Sequence, residues 1–173
     1  MPADFGARPS LDSLGPLTFA PWQAPDFTLP TIQGGRFSLD EARRSHRGVL
    51  VMFYLGSGCV HCVEQLQAFG PFKQKFDALD IPVIAISTED KDTLRDSLKV
   101  LEKGEKFTIP LASDSTLTHF KQFGVHDDFE KMPLHGTFLI DPAGKVRWRD
   151  VSFQPFTNPQ FVLEEAKRLL SKR

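Results

Sequence analysis

Hydrophobic residues from Val49 onwards fall alternately into short continuous runs and longer segments with helical spacing. The runs VLVMFYL (49–55) and PVIAIS (82–87) are typical of strands buried on both faces. Between them, VEQLQAFGPFKQKFDAL (63–79) has apolar residues at helical spacing, and Pro71 predicts a kink or break in that helix. Two strands joined through a helix predict a parallel βαβ unit.

Turn residues predict a hairpin on each side of this unit. In DFTLPTIQGGRFSL (26–39), alternating apolar residues flank a Gly34–Gly35 turn. In GTFLIDPAGKVRWRDV (136–151), the sequence Asp-Pro-Ala-Gly predicts a turn between two antiparallel strands. An antiparallel hairpin added to a parallel unit makes the sheet mixed.

Capping residues predict three further helices. The segment 88–104 has Thr88 as its expected N-cap and Gly104 as its expected terminator. A short helix should end at Gly124, and the last helix should begin after Asn158 as N-cap.

This order of elements predicts an α/β, thioredoxin-like fold with a mixed central sheet flanked by helices and an N-terminal β-hairpin. We assign residues 24–173 to this domain. Residues 1–23 are predicted to be an irregular N-terminal extension, because prolines interrupt them and they lack periodicity. Large apolar residues predict that the extension packs partly on the domain: Phe5, Leu11, Leu14, Leu17, Phe19 and Trp22.

Composition and charge narrow the class of function. The chain has 173 residues, 40% of them hydrophobic, and a net charge of −1, so neither nucleic acid nor an anionic membrane surface is an expected partner. No apolar run reaches the roughly 18 residues that span a bilayer. The first residues lack the pattern of a signal peptide. We expect a cytoplasmic protein if the chain is complete, and an exported one if it is an excised domain.

Both cysteines of the chain lie in GSGCVHCVEQL (56–66). Cys59 should lie where the first buried strand meets its helix, and the unpaired N–H groups at a helix start favour a thiolate. Cys62, one helical turn later, could form a disulfide with it. Gly58 leaves the approach to Cys59 open, and His61 as a cation would favour either thiolate.

The cysteine pair has three possible interpretations: structural zinc, two inert buried thiols, or a redox-active dithiol. Structural zinc requires about four ligands and usually a second closely spaced Cys or His pair, which the other histidines do not form. Two inert buried cysteines would not need to lie at a strand-to-helix junction. A redox-active dithiol fits both the spacing and the position, and is the favoured interpretation.

Residues 24 to about 170 resemble the thioredoxin-like superfamily, and within it the peroxiredoxin-like alkyl hydroperoxide reductase/thiol-specific antioxidant group, in its CxxC-bearing branch. The resemblance is carried by five blocks in the usual order: APDFTLPTIQGGRFSLDE, VLVMFYLGSGCVHCVEQL, IPVIAISTEDKDTL, PLASDS and GTFLIDPAGKVRW. It implies a thiol oxidoreductase with antioxidant activity, and an external thiol reductant that is either thioredoxin-like or a low-molecular-weight thiol.

The chain departs from the patterns of both related groups. Typical peroxiredoxins have Pro-x-x-x-Thr-x-x-Cys, but here Met52 and Gly56 occupy the proline and threonine positions. Typical thioredoxins have a tryptophan where this chain has Gly58, and a cis-proline where it has Gly136. The arginine that peroxiredoxins place beside the reactive sulfur is replaced by His135.

The expected activity is a cycle of Cys59 and Cys62 between dithiol and disulfide, with Cys59 attacking and Cys62 resolving. The substrate is a protein disulfide or a hydroperoxide, and the residues leave both open. No cofactor is expected, because no flavin or nicotinamide motif is present. The alternative is a copper-handling or redox-sensing module that uses Cys59, Cys62 and His135.

The resemblance also predicts where His135 lies. The turn that enters the TFLID strand should pack beside the helix start, and it should bring the imidazole of His135 within several ångströms of Cys59. We expect an imidazolium there to stabilise the Cys59 thiolate. Gly136 should leave room for the backbone of a substrate.

Overall fold

The computed structural model describes residues 22–102 and 106–170. Most of the predicted N-terminal extension, and the predicted terminator Gly104, therefore lie outside the described residues. Trp22 belongs to the described part, and its ring packs edge-on against Phe123 with a centroid distance of 5.9 Å.

The described chain forms nine strands and six α-helices. The strands are β1 Thr28–Pro30, β2 Arg36–Ser38, β3 Val49–Tyr54, β4 Val83–Ser87, β5 Leu111–Ser113, β6 His126–Asp127, β7 Met132–Pro133, β8 His135–Ile140 and β9 Val146–Ser152. The helices are α1 Leu39–Ser45, α2 Val60–Phe69, α3 Lys73–Ala78, α4 Lys91–Leu101, α5 Thr118–Gln122 and α6 Pro159–Leu169.

Five strands form the central sheet in the order β5-β4-β3-β8-β9. β3, β4 and β5 are parallel, whereas β8 runs antiparallel to β3 and β9 antiparallel to β8. The mixed sheet and the N-terminal β1–β2 hairpin confirm the predicted architecture. The carboxyl ends of β3 and β4 and the first residue of β8 lie at one edge of the sheet.

Each face of the sheet carries its own hydrophobic core. On one face, alternate residues of β3 (Leu50, Met52 and Tyr54) pack with residues of α2, α3, α4 and α6. On the other face, Val51 and Phe53 pack with residues of α1 and α5. The continuous apolar run of β3 is buried on both sides for this reason.

Several element boundaries differ from the predictions. Pro71 lies in a 3₁₀ turn, Gly70–Phe72, that separates α2 from α3, so the predicted break is confirmed. Asn158 caps α6 as predicted. The N-cap of α4 is Asp90, not Thr88, whose hydroxyl instead donates to the carbonyl of Leu55. No helix among the described residues is both long and apolar enough to cross a membrane.

Candidate active site

The start of α2 sets the geometry of the two cysteines. Cys59 is the N-cap of α2, and its Sγ accepts a hydrogen bond from the backbone N–H of Cys62 at 3.3 Å. Cys62 lies one turn into the helix and is fully buried, whereas Cys59 is half-buried. Both are free thiols. The pair therefore has one sulfur within reach of solvent and one inside the core.

His135, the first residue of β8, lies against both sulfurs. Its Nε2 is 3.7 Å from Cys59 Sγ, which confirms the predicted proximity. The same nitrogen is only 3.0 Å from Cys62 Sγ. The imidazole is buried, and its Nδ1 has no hydrogen-bond partner among the described residues. His135 thus makes its closer contact with the buried cysteine, which the sequence did not predict.

Burial sets the charge state of both groups in this contact. It lowers the pKa of His135 below its usual 6.5, although the backbone at Phe153 and Ser152 acts in the opposite direction. It also raises the pKa of Cys62 from its usual 9.0 to about 12, with a further increase from Cys59. At neutral pH, His135 is therefore a neutral imidazole and Cys62 a thiol. The expectation of an imidazolium at this position was wrong, because desolvation outweighs the nearby polar groups.

His61 lies on the exposed side of α2. Its Nδ1 is 3.1 Å from the carboxylate of Glu64, and both side chains are more than half exposed. The imidazole thus pairs with Glu64 in solvent. An electrostatic interaction with His61 is the smallest of the causes that act on the pKa of His135, and it lowers that pKa.

The two glycines singled out in the sequence have different surroundings. A Cβ on Gly58 would have no described atom within 4 Å beyond its chain neighbours, in agreement with an open approach to Cys59. A Cβ on Gly136 would lie 2.8 Å from both Phe138 and Val125. Side chains of the core therefore fill the space on the Cβ side of Gly136, and room for the backbone of a substrate beside this residue stays a prediction.

Glu89, which follows β4, holds the loop that precedes Cys59. Its Oε1 accepts hydrogen bonds from the backbone N–H and the hydroxyl of Ser57, both at 2.8 Å. Its Oε2 accepts from the hydroxyl of Ser97 at 2.8 Å. Gly56 has a φ of +119° and its α-carbon faces Glu89 so closely that a Cβ would lie 2.6 Å from the carboxyl group. The hydroxyl of Ser57 therefore donates its hydrogen bond to Glu89.

Sequence reasoning missed Glu89, although a signal was present. The carboxyl ends of neighbouring parallel strands meet at one edge of a sheet, where open α/β proteins place their sites. Because Glu89 comes just after β4, its side chain could have been predicted to contact the loop that follows β3.

Further polar side chains of α2 and β3 are buried. Gln65 is buried one turn further along α2, and its Nε2 donates to Thr137 Oγ1 at 3.3 Å and to the carbonyl of Phe156 at 3.0 Å. Tyr54 of β3 is buried on the same face of the sheet, and burial raises its pKa. Tyr54 is therefore a neutral phenol at neutral pH, and it interacts electrostatically with Cys62.

The two sulfurs and the imidazole nitrogen lie within 4.8 Å of one another. Two sulfur donors and one imidazole are a set suited to a soft metal ion such as Cu(I). The same three atoms are also sufficient for dithiol–disulfide chemistry with one proton acceptor.

Comparisons with known proteins agree on one family. The sequence model of the AhpC/TSA family matches residues 22–149. A putative peroxiredoxin, YkuU of Bacillus subtilis, is 27% identical over 139 residues, which cover 75% of this chain and 76% of that protein. The chloroplastic peroxiredoxin Q of Oryza sativa subsp. japonica is 33% identical over 134 residues; these cover 76% of this chain and 59% of the rice protein.

Solved structures agree with the sequence relatives. The crystal structure of peroxidoxin BcpB from Mycobacterium tuberculosis matches with a TM-score of 0.73 and 25% identity, covering 87% of this chain and 97% of that one. The reduced 2-Cys peroxiredoxin of Plasmodium vivax matches with a TM-score of 0.74 and 22% identity, covering 87% and 96%. The second similarity is one of fold.

Proposed function

The chain belongs to the AhpC/TSA family, and from that premise we propose that it reduces hydroperoxides with Cys59 as the attacking sulfur and Cys62 as the resolving sulfur. It is a thiol oxidoreductase of the thioredoxin-like, peroxiredoxin type. In the proposed cycle, Cys59 thiolate attacks the peroxide and becomes a sulfenic acid, the alkoxide or hydroxide leaves and takes up a proton, and Cys62 then closes the disulfide with loss of water.

The observation that carries the proposal is the unequal burial of two sulfurs at one helix start. Cys59 is half-buried and receives the N–H of Cys62, whereas Cys62 is closed off from solvent. A hydroperoxide can reach the first sulfur but not the second. A disulfide between them needs no long movement, because the residues lie one helical turn apart.

Reduction of peroxide by this site should be slow for a peroxiredoxin. The threonine and arginine positions are occupied by Gly56 and His135, and the hydroxyl of Ser57 donates to Glu89. Loss of one donor that stabilises developing charge costs about 10²–10³ in rate.

An external thiol must regenerate the dithiol, and we propose that it is a partner protein with an exposed thiol. Val60, adjacent to Cys59, is 68% exposed, and Phe153, whose backbone lies beside His135, is 58% exposed. Exposed apolar side chains beside a reactive sulfur support docking of a protein partner. A low-molecular-weight thiol is too small to cover both exposed side chains.

The same chemistry permits exchange with a protein disulfide, and the two soft sulfur donors with one imidazole permit copper binding. The named relatives are peroxiredoxins, which favours peroxide over both alternatives. Metal analysis of the reduced protein, without added metal, separates a copper carrier from a peroxidase.

The proposal is tested by single-turnover reaction of the reduced protein with hydrogen peroxide, followed by acid quenching and mass spectrometry. Wild type should pass from dithiol to disulfide. Cys62→Ser should stop at a sulfenic acid on Cys59, and Cys59→Ser should leave peroxide unreduced. Because the chain has two cysteines, Cys59→Ser/Cys62→Ser is a thiol-free control.

Two outcomes would contradict the proposal. One is a sulfenic acid on Cys62 in the Cys59→Ser variant at the wild-type rate. The other is a wild-type protein that reduces a protein disulfide but leaves hydrogen peroxide untouched.

A further inference from the structure

We propose that His135 is the catalytic base of the resolving step: its Nε2 takes the proton from the Cys62 thiol and returns it to the hydroxide that leaves Cys59. The inference rests on the proposed function, because that function supplies the sulfenic acid on Cys59. It assigns His135 to the buried cysteine and not to the attacking one.

Distances favour this assignment. Nε2 of His135 lies 3.0 Å from Cys62 Sγ, within hydrogen-bond reach, and 3.7 Å from Cys59 Sγ. One nitrogen therefore lies next to both the atom that must lose a proton and the atom that loses hydroxide. His135 pairs with Ser152 of β9, and this pairing fixes the backbone from which the ring projects towards the two sulfurs.

The resolving step requires such a base. Only a thiolate attacks a sulfenic sulfur, and burial together with Cys59 raises the pKa of Cys62 to about 12. At neutral pH, almost all Cys62 is then protonated and has no contact with bulk water. A neutral imidazole 3.0 Å away can accept that proton, and burial keeps this imidazole neutral.

The step balances without another reactant. Nε2 takes the proton of Cys62, and the Cys62 thiolate attacks Cys59 Sγ. The S–S bond forms as the S–O bond breaks, and the bonding pair leaves with hydroxide. The imidazolium then donates its proton to hydroxide, so that one water is released and His135 is neutral again.

The groups around the imidazole support a neutral resting state. The start of α2 contributes the two cysteines and His61, and the electrostatic interaction with His61 lowers the pKa of His135. The backbone groups at Ser152, the last residue of β9, and at Phe153, which follows it, act in the opposite direction. Asp150 lies two residues before Ser152. On β3, Tyr54 interacts electrostatically with Cys62. Desolvation is the largest influence on His135 among them.

The test follows the two steps separately in the full chain, after one equivalent of hydrogen peroxide is mixed with reduced protein. In wild type, disulfide formation should slow by about tenfold per pH unit below the pKa of His135, because an imidazolium cannot accept a proton. Formation of the sulfenic acid should not follow the same titration.

His135→Gln should slow disulfide formation by about 10²–10⁴-fold, the usual contribution of a general base. Its remaining rate should rise by about tenfold per pH unit from pH 7 to 9, because hydroxide then has to deprotonate Cys62. His46→Gln is the matched control. It removes an exposed histidine that pairs with Asp80 near the opposite end of β3, and both steps should keep their wild-type rates.

Each outcome is decisive. A His135→Gln protein that closes its disulfide at the wild-type rate would overturn the assignment, and so would one slowed only in sulfenic acid formation. If His135→Gln does not fold, the wild-type pH profile decides: a disulfide rate that is flat down to pH 4 contradicts a histidine base. If wild type forms no sulfenic acid at all, the proposed peroxidase function fails first, and the step assigned to His135 does not exist.

Discussion

Glu89 fixes the backbone that leads to Cys59 through both of its carboxylate oxygens. One oxygen receives the N–H and the hydroxyl of Ser57, and the other receives the hydroxyl of Ser97 in α4. The carboxylate thus joins the loop after β3 to the element after β4. A loop held at two points keeps the helix start, and with it Cys59 Sγ, in one position.

Replacing Glu89 with Gln should loosen this loop. One acceptor becomes a donor and the charge is lost, so the free energy of unfolding should fall by about 1–3 kcal/mol. Sulfenic acid formation on Cys59 should also slow, by as much as about 10²-fold if the sulfur is displaced by about 1 Å. Urea denaturation and single-turnover kinetics measure the two effects.

Ser97→Ala is the matched control for Glu89→Gln. It removes the hydroxyl from the Oε2 side and leaves both contacts of Ser57 with Oε1 intact. Stability should fall slightly, while the rate at Cys59 should stay at the wild-type value. Equal rates in Glu89→Gln and wild type would exclude a positioning role for Glu89.

The sequence predicted individual site residues better than their contacts. The Cys-x-x-Cys spacing placed both sulfurs at the start of α2, and the family resemblance together with chain order predicted that His135 lies beside them. The sequence could not predict that the ring lies closer to Cys62 than to Cys59, because that depends on the direction of a side chain inside the core. It also could not predict the neutral imidazole, because burial, not residue type, sets that charge state.

At the scale of elements, β8 lies between β3 and β9 in the sheet and packs against core side chains. Gly136 pairs with Phe53 of β3 and with Val151 of β9. The space next to its α-carbon is filled by Phe138 and Val125, each 2.8 Å from the position of an added Cβ. A side chain at this position therefore has to displace these two members of the core.

Gly136→Ala should therefore lower the free energy of unfolding by about 1–3 kcal/mol, the usual cost of overpacking a core. Gly58→Ala is the comparison, because its added methyl group meets open space and its stability should change by less than about 0.5 kcal/mol. Urea denaturation of both variants measures the difference. Full stability in Gly136→Ala would mean that Phe138 and Val125 can move aside without cost, and it would contradict tight packing at this position.

Elements with a strong pattern were predicted, and short ones stabilised by neighbours were not. The continuous apolar runs were sufficient to predict β3 and β4, and the N-cap Asn158 followed by Pro159 was sufficient to predict the start of α6. α1, capped by Ser38, has few apolar residues and was missed because its sequence reads as a polar loop. β5 has three residues, too few for a periodicity, and exists because it pairs with β4.

On the scale of the whole molecule, the site lies where one core reaches the edge of the sheet. Cys62 belongs to the core that α2 and α6 cover, and Leu66 and Leu139 are members of the same cluster. His135 begins the strand on which Leu139 lies, so the fold buries an ionisable imidazole together with the thiol. The stability of the whole protein therefore depends on the protonation of His135.

The sign of this dependence follows from the direction of the pKa shift. Burial lowers the pKa of folded His135 below the value of 6.5 that it has in the unfolded chain. As the pH falls below 6.5, the unfolded chain takes up a proton that the folded chain does not. Protonation then favours unfolding until the pH passes the folded pKa, below which both states carry the proton.

We therefore expect the free energy of unfolding of the reduced protein to fall as the pH is lowered from 7.5 to 5.5. His135→Gln removes the group and should flatten this part of the profile. Asp150→Asn should keep the fall, because burial raises the pKa of Asp150 from 3.8, and that shift acts in the opposite direction. Urea denaturation of all three proteins at each pH, with reductant present, measures these slopes. A wild-type protein as stable at pH 5.5 as at 7.5 would mean that folded and unfolded His135 take up the proton alike, and it would contradict a buried imidazole that is held neutral beside Cys62.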